Sequence, residues 1–249
     1  MNTAFIIQAR MGSTRLPNKI LLPFFNDKCI LDLLIEKLKR IPAADIIIAT
    51  SVNKNNDILE RFCVTRGIKC FRGSENDVLQ RFIDAAETFD IDKIIRVCSD
   101  NPFLELKSIE TLVKESMVSD ADYISFSING TPSIKTHYGF WTEYTTLKSL
   151  HKVRDLTSDN LYHEHVTNFI YTHPQFFSTE WIEGPECLYN RSNIRLTCDT
   201  AEDFQCCKEI YSALCMNNPY PTIQDIVDYL DCHKEYSAKM SEQIINNSK

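Results

Sequence analysis

Twelve residues beginning at Gln8, QARMGSTRLPNK, gather three cations, two hydroxyls and one glycine. Gly12 and Ser13 can present backbone N–H groups to an anion, and Gln8 adds a side-chain amide beside them. Arg10, Arg15 and Lys19 can neutralise phosphate oxygens. A triphosphate fits that inventory, although a solvated basic loop would have the same composition. The segment lacks the GK-Ser/Thr ending of a Walker A loop and the GxGxxG of a dinucleotide site.

Two aspartates follow short apolar runs: Asp100 after KIIRVCS and Asp199 after NIRLTC. If both runs are strands of one sheet, the carboxylates leave it at the same edge and could share a Mg2+ ion. That ion prefers hard oxygen ligands, usually one or two carboxylates with substrate phosphates and waters. Taken singly, either aspartate could instead be a helix N-cap, Asp199 especially.

His163, Glu164 and His165 invite a zinc reading, but side chains two positions apart cannot share a helix face and no third ligand has suitable spacing. A packed role or acceptor binding remains for His163 and His165, with Arg195 placed to meet an anionic group. His137, Tyr138 and Trp141 could line an acceptor pocket or a subunit contact.

The elements that must position these groups alternate from the start. AFIIQAR (4–10), DIIIATS (45–51), IKCFRG (68–73) and KIIRVCSD (93–100) read as strands. CILDLLIEKLKRI (29–41), NDILERFCVTRG, capped by a left-handed Gly67, and NDVLQRFIDAAETF (76–89) read as the helices between them. Unbroken apolar strands suit a parallel sheet covered on both faces, in which ligands bind beyond the strands' carboxyl ends. Leu106–Met117 is a further helix, ADYISFSI a strand, and NIRLTCD a strand before a helix capped by Thr200 and Asp203. The aromatic, histidine-rich stretch 129–185 is expected to be an inserted lobe for acceptor binding or dimerisation, built onto the sheet without continuing it. Residues 222–233 form a last helix, and the polar end from 234 is expected to fray.

The chain has 249 residues, 43% of them hydrophobic, enough for one large α/β domain spanning 1–249. A net charge of -7 argues against a general nucleic-acid binder, so any phosphate site must be local. The start, MNTAFIIQA, has no basic n-region and no run approaches the roughly 20 apolar residues that span a bilayer; a soluble, cytoplasmic protein without membrane contact is expected. The ten cysteines contain no CxxC pair and are expected to be reduced thiols, mostly buried.

Five blocks, IIQARMGSTRLPNKIL (6–21), FRGSENDVLQRF (71–82), IRVCSDNPF (95–103), HEHVTNFIY (163–171) and RLTCDTAEDF (195–204), resemble the cytidylyltransferase family that includes CMP-Kdo and CMP-sialate synthetases. The likeness is strongest to its spore coat polysaccharide biosynthesis type. The first block is the most specific, and together they span most of residues 4–214. The resemblance implies a Rossmann-like fold, commonly a homodimer, and transfer of CMP from CTP to a sugar acid or related acceptor with release of pyrophosphate. It implies that Arg10, Ser13 and Lys19 hold the nucleotide phosphates, that Asp100 and Asp199 hold Mg2+, and that Arg72 and Ser74 lie near the base or ribose. Asn18 stands where the family usually has glycine, but Asn can adopt a left-handed conformation. INGTPSIKTHYGFWTEY departs from the family's usual acceptor region, which leaves the acceptor open.

Two other readings compete. A metal-dependent glycosyltransferase could use Asp120-Ala-Asp122 as a DxD motif, though this lies before an apparent strand and not after one. A nucleotide-binding module without turnover would keep the fold alone.

Overall fold

The computed structural model describes residues 2–42 and 44–247. The chain opens with β1 (Thr3–Gln8), followed by the short hairpin β2 (Pro23–Phe25) and β3 (Lys28–Cys29), and by α1 (Ile30–Leu38). Next come β4 (Asp45–Ser51), α2 (Asp57–Arg66), β5 (Lys69–Gly73), α3 (Val78–Thr88), β6 (Lys93–Cys98) and α4 (Leu106–Val118). Then follow β7 (Tyr123–Ile128), β8 (Thr131–Pro132), β9 (Glu143–Thr146), α5 (Leu147–Leu156), α6 (Asn160–Glu164), α7 (Asn168–Thr172) and β10 (Thr179–Glu183). The chain ends in α8 (Ala201–Cys215), α9 (Ile223–Cys232) and α10 (Lys234–Asn246).

The sheet order is β10-β7-β9-β6-β1-β4-β5, with β8 beside β7. β6, β1, β4 and β5 are mutually parallel, and β7 and β10 are parallel to each other. Only β9 and β8 oppose their neighbours. The result is a Rossmann-like, doubly wound, mostly parallel α/β sheet. The central strands β1, β4 and β6 lack a polar face because both faces are covered. Phe5 and Ile7 of β1 enter the cluster that contains α1, α4, α8 and α9, while Ala4 and Ile6 enter the opposite one, with α3, α5 and α7. Gly67 ends α2 at φ 64°, and Thr200 and Asp203 form the reciprocal cap of α8.

Three expectations about the elements are corrected. The 129–185 stretch does not merely sit on the sheet: β9 enters between β6 and β7, and β10 adds to the edge. Its α5–α7 form part of one helical layer, so the segment is woven into the fold. Its strands were hidden because β9 is four residues long and β10 has a largely exposed pattern. NIRLTCD is extended and buried but is not a ladder strand. Leu196 N donates to His137 O at 2.8 Å and Cys198 N to Asp100 O at 3.0 Å, single bonds to two different neighbours. The polar end does not fray within the described residues: α10 buries Met240 against the core, and Thr200 Oγ1 donates to Gln243 Oε1 at 3.2 Å. Residues 248 and 249 lie outside the described residues. No helix among the described residues is long and apolar enough to cross a membrane.

Candidate active site

The loop that leaves β1 is fixed at both ends. Met11 N donates to Asn56 Oδ1 at 2.8 Å, and Asn18 N closes back onto Met11 O at 3.3 Å. Asn18 turns the chain at φ 63°, where the left-handed region is open to Asn, and Ile20 is buried two residues later. Between these anchors the loop brings Lys19 over the sheet edge. Its ammonium donates to Asp100 Oδ2 at 2.8 Å and to Cys198 O at 2.7 Å, and lies 3.7 Å from Asp199 Oδ1. Burial alone would lower the Lys19 pKa, but Asp100 and then Asp199 outweigh it and hold the ammonium above the ordinary lysine value. Arg15 Nη2 stands 3.2 Å from the same Asp199 oxygen.

Asp199 is gripped from the other side by Arg195, which is fully buried. Arg195 Nη2 donates to Asp199 Oδ2 at 3.0 Å and to Asp203 Oδ2 at 2.7 Å, Nε donates to Asp203 Oδ1 at 2.7 Å, and Nη1 lies 2.8 Å from His137 Nδ1. Asp203 also accepts from the backbone N–H groups of Asp199 and Thr200, at 3.1 and 3.0 Å.

A cleft of about 220 Å³ is lined by Gln8, Arg10, Ser13, Arg15 and Lys19 on the loop side and by Asp100 and Asp199 opposite. Beside it lies a cavity of about 580 Å³, walled by Lys135, Trp141, His165, Thr167 and Tyr171, among others. Arg96, Cys98, Asp100 and Asp199 line both spaces. Arg96 faces Glu143 in the antiparallel β6–β9 register and is ion-paired to it. Glu143 also accepts from Tyr123 Oη at 2.5 Å and Thr167 Oγ1 at 3.0 Å. Arg96 Nη2 donates to Gln8 Oε1 at 3.1 Å. Arg96, Glu143 and Thr167 went unread in the sequence. The available signal was an arginine inside an otherwise apolar strand, which must find a partner if it is buried.

Several residues fall elsewhere than expected. Arg195 is locked between two aspartates and a histidine with a fully buried side chain, so it cannot present charge to an acceptor. His163 ties α6 to α3, with Nδ1 2.9 Å from Asp77 Oδ2 and Nε2 3.0 Å from Thr157 O, and does not line the cavity; His165 does. His137 pairs with Arg195, and Tyr138 is a core ring whose hydroxyl reaches Leu188 O at 3.4 Å. Trp141 does line the cavity. Arg72 spends its guanidinium on Asp57 and Glu60, each at 2.7 Å, and Ser74 Oγ accepts from Asp77 N, so neither lines the cleft. Gly12 does not line the cleft, although its neighbour Ser13 does. Asp122 of the possible DxD accepts from Ser178 N at 2.9 Å and Ser149 Oγ at 2.7 Å just before β7, at the amino-terminal edge of the parallel strands. That edge is opposite the cleft. The ten cysteines are free thiols; six are buried, Cys70, Cys98 and Cys187 are half-buried, and Cys232 is exposed.

A doubly wound sheet with cations and carboxylates meeting at the carboxyl ends of its strands defines a nucleotide-handling class. The chain belongs to the cytidylyltransferase family, whose model matches residues 4–241, and is a nucleotidyltransferase enzyme. It is 38% identical over 227 residues to an uncharacterised protein of Methanocaldococcus jannaschii, covering 91% of this chain and 89% of that one. It is 34% identical over 212 residues to the spore coat polysaccharide biosynthesis protein SpsF of Bacillus subtilis, covering 83% and 85%. A solved cytidylyltransferase from Leptospira borgpetersenii superposes with a TM-score of 0.78 at 29% identity, covering 97% of each chain.

Proposed function

We propose that the enzyme transfers CMP from CTP to a hydroxyl of a small acidic, sugar-like acceptor. An acceptor oxygen attacks the α-phosphorus, the bond to the oxygen bridging the α- and β-phosphates breaks, pyrophosphate leaves with that oxygen, and the hydroxyl proton passes to water. The observation that carries this reading is the common wall of the two spaces, with a cation-lined cleft on one side and a larger polar and aromatic cavity on the other. In it, Arg10, Ser13, Arg15 and Lys19 hold the triphosphate. Lys135 brings positive charge to the acceptor cavity, His165 adds an imidazole, and Tyr171 and Trp141 offer ring faces to a sugar. Catalysis is then positioning together with preorganised positive charge at the phosphate under attack, where Arg96 lines both spaces.

Mg2+ belongs to the same reading. Asp100 and Asp199 meet at one ammonium, 2.8 and 3.7 Å from Lys19 Nζ, and both line the cleft and the cavity, which puts two hard carboxylate ligands on the wall that the phosphates would face. Two carboxylates are the usual protein share for Mg2+, which completes its shell with phosphate oxygens and water. When bound, it supplies positive charge to the phosphates. The reading further holds that the enzyme is a cytoplasmic homodimer serving surface polysaccharide synthesis.

The test is pyrophosphate release from CTP with Mg2+ across a panel of sugar acids and neutral sugars. Release that depends on an acidic acceptor supports the reading. Release of a nucleoside di- or monophosphate from a nucleotide sugar, or no turnover with any acceptor, would refute it.

A further inference from the structure

Arg195 was expected to meet an acceptor, yet it reaches neither the cleft nor the acceptor cavity. We infer that Arg195 is the positioning residue of the active site: by clamping Asp199 Oδ2 it holds Oδ1 turned toward Lys19, Arg15 and the nucleotide's divalent cation. This rests on the proposed role of Asp199 as a carboxylate of that site.

Three features carry it. First, one guanidinium spans two carboxylates through Nη2, 3.0 Å from Asp199 Oδ2 and 2.7 Å from Asp203 Oδ2, while Nε makes a second bond to Asp203 at 2.7 Å. A planar fork with fixed donors sets the orientation of both carboxylates, which a lysine's point charge cannot do. Second, the clamp is anchored on both sides. Asp203 is the reciprocal cap of α8, held by the N–H groups of Asp199 and Thr200, and His137 lies 2.8 Å from Nη1 on the segment whose carbonyl accepts from Leu196 N. Third, the division of Asp199 follows from this clamp: Oδ2 faces Arg195, and Oδ1 faces Arg15 at 3.2 Å and Lys19 at 3.7 Å. Thr197 Oγ1 also contacts Oδ2, at a longer 3.4 Å, so the guanidinium is the stronger of these two partners, and partners behind a metal-holding group commonly change cation affinity by about 10–100-fold when removed.

The test uses the full chain and calorimetric CTP binding, which needs no turnover. Four proteins are compared, with Mg2+ and with EDTA: wild type, Arg195→Lys, Asp199→Asn and the double variant. Arg195→Lys should weaken CTP binding by about 10-fold or more with Mg2+ and by less than about two-fold with EDTA. It should add nothing once Asp199→Asn is present. Equal weakening with and without Mg2+, or full additivity in the double variant, would show a merely structural arginine and overturn the inference. A silent Asp199→Asn would instead sink the site assignment and this inference together. Should Arg195→Lys fail to fold, Asp203→Asn releases the same clamp from its anchored side and is judged by the same two comparisons.

Discussion

Lys19 and Asp100 are joined at 2.8 Å across the carboxyl edge of the sheet, and the same ammonium stands 3.7 Å from Asp199. One cation of the β1 loop thus gathers the two carboxylates that leave different parts of the chain. Lys19→Ala should weaken CTP binding by about 10–100-fold, the range expected for one charge-assisted hydrogen bond of about 1.5–3 kcal/mol. CMP binding should fall much less, because the charge serves the distal phosphates. Calorimetric titration with both nucleotides checks this, and equal losses would place Lys19 elsewhere.

Asp100→Asn and Asp199→Asn should each lower Mg2+-dependent turnover by roughly 1,000-fold, the order expected when charge stabilisation is removed from a preorganised site. Far-UV circular dichroism should not change for Asp100→Asn, whose side chain is partly exposed at a strand end. A variant with wild-type steady-state rates would remove that residue from the mechanism.

Lys37 is buried in α1 and donates to the carbonyls of Leu104 and, at 3.4 Å, Pro102. Burial pushes its pKa down to about 8. The folded value lies below that of an unfolded lysine, about 10.4, so the unfolded chain binds more protons between the two. Stability contributed by this group should therefore rise as pH climbs through that window and be lost as pH falls through 8. Urea melts at pH 7.5 and 9.5 should show Lys37→Met losing part of the wild-type rise, on the order of 1–3 kcal/mol. Parallel pH profiles would contradict it.

His163 contributes in the opposite direction. Burial alone would lower its pKa, but the Thr157 carbonyl and Asp77 raise it above the ordinary histidine value. Its stabilisation is full below the unfolded value and disappears as pH rises through the folded one. His163→Gln should destabilise by about 1 kcal/mol or less at pH 5.5, and by less at pH 8, without changing CTP affinity. Thermal melts at both pH values and one titration decide this; a loss of affinity would return His163 to the site.

Gly139 borders the acceptor cavity at φ 69°, where a Cβ would stand 3.0 Å from Leu196 O. Gly139→Ala should strain the turn by about 1 kcal/mol or more and push on the segment that carries Asp199. Turnover should fall more than CTP binding does; unchanged kcat would mean that the two segments move independently.

The sequence by itself determined the alternation of elements, the parallel sheet, the caps at Gly67 and Thr200, and the meeting of the Gln8–Lys19 loop with Asp100 and Asp199. These are local or periodic signals: a burial period, a cap chemistry, and the rule that parallel strands deliver their ends to one edge, which covers the loop and Asp100, whereas Asp199 arrives on a segment outside the ladder that Cys198 N ties to Asp100 O. Tertiary structure alone decided what depends on partners distant in the chain. Arg96 gained its role from the register that sets Glu143 opposite it, Arg195 was buried between Asp199 and Asp203, and Arg72 was turned onto Asp57 and Glu60 away from the cleft. A cation's residue type states what it can bind, but the carboxylates that fold against it decide whether any charge remains to offer.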